Sequence, residues 1–369
     1  MISLLRFTAR YMAALTLLAA ILAYLFPEAF TLFGYVFKEL FALTMFSLGI
    51  VLNREDLLVT IKEPVRIGLG VLTQFVVMPT LAFSLVSLVG LPPSLALGFI
   101  IVGSAPGAMA SNVIVYLAGG ALAFSITLTT VATFLSPVLT PYLIGLLGGE
   151  TIPINAIGLM WTIFYILVIP LSGGMLVRYY LDKGFRPSVL VIHVIISALI
   201  LGLFFLFSSL AGWQILLLSL FLVWLPMLVA LMPRRYAPLT FTWMKEIAPA
   251  LAALAIIVIC AYGLAKNKNQ IAEAGLWVFA LVILLNLLGY LAGWWLAKLY
   301  RFDRTHKITL SIEIGMQNAG MGVALALEHF KDQPEVALPG ALFAVWSVIT
   351  AAGASAYFRK TKKIVSIDN

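Results

Sequence analysis

The chain has 369 residues, of which 63% are hydrophobic and only 10% charged; a soluble globular domain does not carry that much apolar side chain, so a polytopic membrane protein is expected. The formal net charge is +8, but the Lys and Arg residues are scattered between apolar segments rather than gathered on one face, which argues against a nucleic-acid partner. The one cysteine, Cys260, excludes both a disulfide framework and a thiolate metal cluster.

Apolar segments of bilayer-spanning length fall near 9–26, 30–52, 65–90, 94–118, 121–147, 153–180, 188–208, 213–232, 246–265, 273–299, 306–329 and 336–358. With twelve crossings both termini share a side, and 19 of the 23 basic residues, from Arg6 and Arg10 to Lys362 and Lys363, sort to it. Only Lys38, Lys266, Lys268 and Lys331 sort to the other. The positive-inside rule then predicts cytoplasmic termini, in a bacterial inner membrane. The first stretch resembles a signal peptide, but no small-residue cleavage site precedes Pro27-Glu28, and it is read as an uncleaved helix.

Transporters are often built from inverted repeats, and traces of one are present. Phe37-Lys38-Glu39-Leu40 matches Met244-Lys245-Glu246-Ile247 at an offset of 207, while Gln74 with Asn286, and Gly103 with Gly315, are each 212 apart. Residues 1–147 are read as a first five-helix repeat, broken at 103–112, and 148–182 as the first helix of the second. An inserted two-helix hairpin at 183–245 has no counterpart, and 246–358, broken at 313–320, completes the second repeat before a basic tail at 359–369. The expected fold is all-α, with a ten-helix core containing two broken, crossing helices, plus the hairpin.

The fourth segment contains GSAPGAMASN at 103–112, where Pro106 removes a backbone donor and Gly107 relaxes the chain. Either a simple kink or a true break at mid-membrane follows, and a break is tolerated only in protein or along a watery cavity. Ser125 and Thr129 share a face of the fifth segment, either bonding their own backbone or supplying oxygens to a site. In the eleventh segment ITLSIEIGMQNAG, Glu313 places a carboxylate at bilayer depth, where charge is costly and must be compensated. Two broken helices at equivalent places offer positive half-helix ends to an anion, and carbonyl and side-chain oxygens to a cation. None of the patterns of an intramembrane protease or a prenyl-transfer enzyme occurs, so no enzyme is expected.

SAPGAMASNVIVYLA, SITLTT, FLSPVLTP, EIGMQNAGMGVALALEHF and PGALFAVW together resemble the bile acid:sodium symporter family, over both halves except the hairpin. The resemblance implies panel and core domains, crossing broken helices, two sodium ions and no organic cofactor. It implies a first sodium site at Ser111, Asn112, Ser125, Thr129 and Glu313, and a second at Gln74, Glu313 and Gln317 with the carbonyls of Ile314 and Met316. It places substrate near Met109, Asn318, Ser347 and Val348. Where better-known members often carry His-Asn in the last helix this chain has Ser347-Val348, and Met109 stands where a Thr is common. The resemblance implies an organic anion as substrate: a bile acid-like molecule, pantoate, a 2-oxo acid or a steroid sulfate. Glu313 acting as a proton carrier is the alternative mode of coupling.

The other polar residues read structurally. His193 is expected to bond a neighbouring helix and His329 to lie at the interface. Gly289 and Gly293 suit close helix packing, and Trp294 and Trp295 an aromatic belt. Asn286 is left open between a packing role and that of its repeat partner Gln74. The hairpin is expected to be a scaffold or oligomer contact outside the panel.

Overall fold

The computed structural model describes residues 12–52, 62–149, 152–184, 186–207, 212–232 and 237–365. Arg6, Arg10, Arg54, Arg234, Arg235 and the turn at 209–211 lie outside them. Among the described residues the protein is helical throughout, with a single isolated β-bridge. Nine of these helices are long and apolar enough to cross a membrane, with shorter apolar helices at Ala14–Leu25 and Pro93–Gly103. The protein is an all-α polytopic membrane protein.

The chain divides into two compact units. The first takes α2 (Phe37–Val51), α7 (Ala156–Lys183) from Met160 onward, α8 (Pro187–Phe207), α9 (Gly212–Leu231) and α10 (Ala237–Lys266) as far as Ile259. The second takes α1 (Met12–Leu25) from Thr16, α3 (Pro64–Val89), α4 (Pro93–Gly103), α5 (Ser111–Ala118) and α6 (Leu122–Gly148). To these it adds the end of α10, α11 (Lys268–Leu299), α12 (Arg304–Gly315), α13 (Ala319–His329) and α14 (Leu338–Val365).

In the first unit α2 lies along α7. A Cβ on Gly49 would sit 3.0 Å from the Gly174 Cα, so the two backbones meet glycine to glycine, as small residues allow in membranes. Ala42, Phe46 and Ile50 of α2 bury against Val177 and Leu181 of α7 and Phe221 of α9, with the Phe46 and Phe221 rings 5.0 Å apart. The second helix of the hairpin is thus built into this unit's core. On α8, His193 is buried between the Tyr180 hydroxyl at 3.2 Å and the Leu222 carbonyl at 2.6 Å, the bonded structural role its apolar setting suggested. Both α7 and α9 widen into a π turn, at Phe164–Val168 and Leu220–Trp224, two residues ahead of Pro170 and Pro226. Proline removes a helical donor and crowds the preceding turn, and the wider turn accommodates it.

Two expected boundaries are corrected. The span expected at 246–265 starts at Ala237, where Pro238 occupies a helix-opening position, and the loop expected after it shrinks to Asn267 alone. Asn267 bridges α10 and α11 by donating from its side chain to the Gly263 carbonyl at 2.8 Å.

In the second unit α3 packs on α4, α6 and α11, and α11 runs beside α12. Gly289 and Gly293 make that last contact possible. A Cβ at Gly293 would fall 2.6 Å from the Leu310 carbonyl oxygen, and one at Gly289 3.0 Å from that of Ile314. Inside α6, Pro137 leaves the Thr133 carbonyl without its helical donor, and the Ser136 hydroxyl replaces it at 2.7 Å.

Candidate functional site

Both interruptions are true breaks. The first helix stops at Gly103 and resumes at Ser111, inside the expected 103–112 interval. The second stops at Gly315 and resumes at Ala319, so Gly320 lies inside a helix rather than breaking one. Asn318 explains the shift: its side-chain oxygen accepts from the Met321 amide at 3.2 Å, making it the N-cap of α13.

The two breaks are bonded to each other. Ala108 donates its amide to the Met316 carbonyl at 2.9 Å, Asn318 donates to the Pro106 carbonyl at 2.9 Å, and Gly107 and Gln317 form the antiparallel bridge between them. In an apolar interior every freed carbonyl needs a donor, and here two runs of three are accounted for one by one. Ser104 accepts from the Thr140 hydroxyl at 2.8 Å, Ala105 from the Gln74 amide at 3.0 Å, and Pro106 from Asn318. Ile314 accepts from the Gln317 amide at 2.8 Å, Gly315 from the Asn286 amide at 2.8 Å, and Met316 from Ala108. Asn286 thereby does for the second break what Gln74 does for the first.

Glu313, at 1% exposure, sits on the last turn of α12 beside these breaks. One carboxylate oxygen accepts from the Ser111 hydroxyl at 2.6 Å and from the Ser125 hydroxyl, and the other accepts from Thr129 at 2.7 Å. Ser125 also lies 2.8 Å from the Asn112 side-chain oxygen, and Thr129 2.9 Å from the Ser125 carbonyl. Three hydroxyl protons therefore serve five oxygen contacts around one buried negative charge. The ion pairs among the described residues leave Glu313 with no basic partner. Nor do three His, Cys, Asp or Glu side chains converge anywhere among the described residues. One formal charge and several neutral oxygens suit a hard monovalent cation better than a divalent one, whose sites gather more carboxylates.

The structure brings Ser111, Asn112, Ser125, Thr129 and Glu313 into one cluster. Beside it, Gln74 donates to the Gln317 side-chain oxygen at 2.7 Å, and Gln317 in turn to Ile314. The carbonyls of Ile314 and Met316 have one partner each, which leaves one lone pair apiece. The residues expected near substrate do not gather in the same way. Met109 is buried, Asn318 is occupied as a cap, Ser347 donates to the Ala344 carbonyl of its own helix at 3.2 Å, and Val348 is partly exposed. Asn286 and Thr140 went unassigned in the sequence, although the 212-residue offset from Gln74 marked the first.

A membrane protein whose two interrupted helices are pinned together beside a carboxylate that is the one buried acidic group among the described residues has the architecture of a secondary transporter. A family model described as the sodium bile acid symporter family matches residues 40–219. The Bacillus subtilis (strain 168) protein named uncharacterized sodium-dependent transporter YocS is 29% identical over 344 residues, 93% of this chain and 89% of its own. The Arabidopsis thaliana protein named probable sodium/metabolite cotransporter BASS1, chloroplastic, is 26% identical over 319 residues, 86% of this chain and 65% of its own. One from Oryza sativa subsp. japonica, named probable sodium/metabolite cotransporter BASS2, chloroplastic, is 27% identical over 315 residues, 85% of this chain and 62% of its own. The chain is thus similar to the sodium bile acid symporter family and to sodium-dependent transporters along most of its length. Family and relatives are transporters, not enzymes.

Proposed function

We propose that the protein couples the inward movement of sodium to uptake of a small organic anion. The observation that carries this reading is the proton deficit around Glu313: a cation supplies the positive charge that three hydroxyls cannot. The first sodium would be held by Ser111, Asn112, Ser125, Thr129 and Glu313. The second would be held by Gln74, Gln317, the other side of Glu313 and the spare lone pairs of Ile314 and Met316. The substrate would approach from Met109, Asn318, Ser347 and Val348, in the class of bile acid-like molecules, pantoate, 2-oxo acids or steroid sulfates. Alternating access would expose the site to either face in turn, through inverted repeats at 1–147 and at 148–182 with 246–358. The predicted cytoplasmic termini and a bacterial inner membrane complete the reading. Two sodium ions with one monovalent anion would carry one net charge inward, about 2.3 kcal/mol per 100 mV.

The test is thermal stability of the purified protein in sodium against potassium, for wild type and Glu313→Ala, across a panel of those anions. A ligand that prefers the folded state raises the melting temperature. A sodium-specific rise that vanishes in the variant is expected, with one anion class adding a further rise only in sodium. A well-folded wild type that ignores sodium but responds to pH would replace sodium by a proton on Glu313.

A further inference from the structure

Apart from the carboxylate cluster, the second unit contains a cavity of about 860 Å³ between α11, α12 and α14. Three stripes of helical spacing line it: Ile283, Leu287 and Leu291 on α11, Arg304 and Lys307 on α12, and Thr350, Gly353 and Ala354 on α14, among others. Its two ends differ in kind. At one end α12 begins, bringing Arg304 and Lys307 to the lining, and on the same lining Trp294 stacks on Phe358 at 5.5 Å. From Trp294 back to Ile283 the slot runs eleven residues along α11, roughly 16 Å at helical rise. There Trp346 packs edge-on against Phe279 and closes it at 5.5 Å. None of the fifteen lining residues is acidic.

Two further observations point to an occupant. The buried Tyr290 hydroxyl lines the slot beside Thr350, and the buried Trp346 indole N–H on the same lining has no hydrogen-bond partner, a costly arrangement where no water is at hand. The rim carries Leu287 at 50% and Leu291 at 46% exposure, so the slot opens sideways through apolar side chains, the route by which a bilayer lipid enters. A soluble anion would meet a polar mouth instead.

We propose that this slot is a binding site for an anionic phospholipid of the surrounding membrane. The phosphate is held by Arg304 and Lys307, a glycerol ester oxygen accepts from the Tyr290 hydroxyl, and an acyl chain lies along Leu287 and Ile283. Basic residues at the end of a groove between membrane helices recognise anionic head groups in this way, and the indole and phenol rings suit the interfacial level. The site stands independently of the sodium reading, although two bonds tie its walls to the ion cluster. Ser311 donates to the Tyr290 carbonyl at 2.7 Å and Asn286 to the Gly315 carbonyl.

The experiment is native mass spectrometry and thermal stability of the delipidated full chain in detergent, with added phosphatidylglycerol or phosphatidylcholine. The variants are Lys307→Gln, Arg304→Gln and Gly353→Leu. The last is chosen because a Cβ at Gly353 meets nothing within 4 Å, so a larger side chain fills the slot without displacing backbone. Retention of one phosphatidylglycerol per chain and a rise in melting temperature that phosphatidylcholine does not give are expected. Both should be lost in Gly353→Leu and weakened in the two charge variants, while the sodium response of Gly353→Leu stays as in wild type. Equal retention of the two lipids, or phosphatidylglycerol retention unchanged by Gly353→Leu, overturns the proposal. So does a soluble steroid carboxylate that stabilises wild type but not Gly353→Leu where phosphatidylglycerol has no effect.

Discussion

The Ser111 hydroxyl donates to the Glu313 carboxylate at 2.6 Å although 202 residues separate them in the chain. Each stands next to a helix break, Ser111 opening the helix after the first and Glu313 on the last turn before the second. The contact therefore reports the joint placement of both breaks, and it frames what the side chains at the site should do when changed.

Replacing Glu313 by Gln removes the charge and keeps the shape. The neutral amide no longer carries an uncompensated charge in a medium of low dielectric, so stability without sodium should equal or exceed that of wild type. The sodium-dependent rise should disappear. Melting curves with sodium titrated against potassium at constant ionic strength read both effects, and a sodium response retained in the variant would remove Glu313 from the site.

Asn286→Leu leaves the Gly315 carbonyl without its donor and should cost about 1–3 kcal/mol, the usual penalty for a stranded buried polar group. Since that carbonyl adjoins the second break, sodium affinity should fall as well, although Asn286 makes no hydrogen bond to Glu313. Gln74→Leu should behave in parallel at the Ala105 carbonyl. A loss of stability with unchanged sodium affinity would show that Asn286 only packs.

Gly293→Ala places a methyl group 2.6 Å from the Leu310 carbonyl, a contact that backbone must move to relieve. Overpacking of this kind costs typically about 1–3 kcal/mol. Gly68→Ala, whose Cβ meets nothing within 4 Å, is the matched control and should leave the melting temperature close to wild type.

Asp303 caps α12, accepting from the Thr305 amide at 2.9 Å and the His306 amide at 3.2 Å. Burial alone would raise its carboxyl, but the hydrogen bonds from Thr305 and His306 and the His306 ring outweigh it, and the group is held well below the ordinary carboxylate range. The unfolded chain binds the proton more readily. The ionised cap therefore stabilises the fold above the ordinary carboxylate pKa, and this contribution is lost as pH falls through the depressed value. Asp303→Ala should lower stability near neutrality by about 1 kcal/mol, the usual worth of a cap, and Asp303→Asn by less. The gap between wild type and Asp303→Asn should narrow below about pH 4, where the unfolded chain takes up the carboxyl proton first. A gap that keeps widening below that pH would reverse the sign.

The spans were legible because long apolar runs have few alternatives, and the breaks because Pro106-Gly107 and Asn318 cannot sit quietly in a helix. The limits of the second break were readable in principle: an Asn that disfavours helix interiors is also a good N-cap, and Asn318 opens a helix rather than interrupting one. The pairing of Ala108 with Met316 was not readable, since it is carried by backbone and leaves no mark on side-chain type. Asn286 lay between, flagged by its offset from Gln74 but given its task only by the Gly315 carbonyl. The core role of Phe221 was hidden because an inserted hairpin that is apolar all round does not announce which face it buries.

The bond from Asn318 to the Pro106 carbonyl also sets a timetable for biosynthesis. At about 5–20 residues per second, the 212 residues between them take on the order of 10–40 s to synthesise. For that interval the first broken helix must hold Pro106 against the bilayer without its native donor. Water, the insertion machinery or another part of the nascent chain has to stand in. Mutations that weaken the second break should accordingly show themselves first as poor membrane assembly, before any transport is measured.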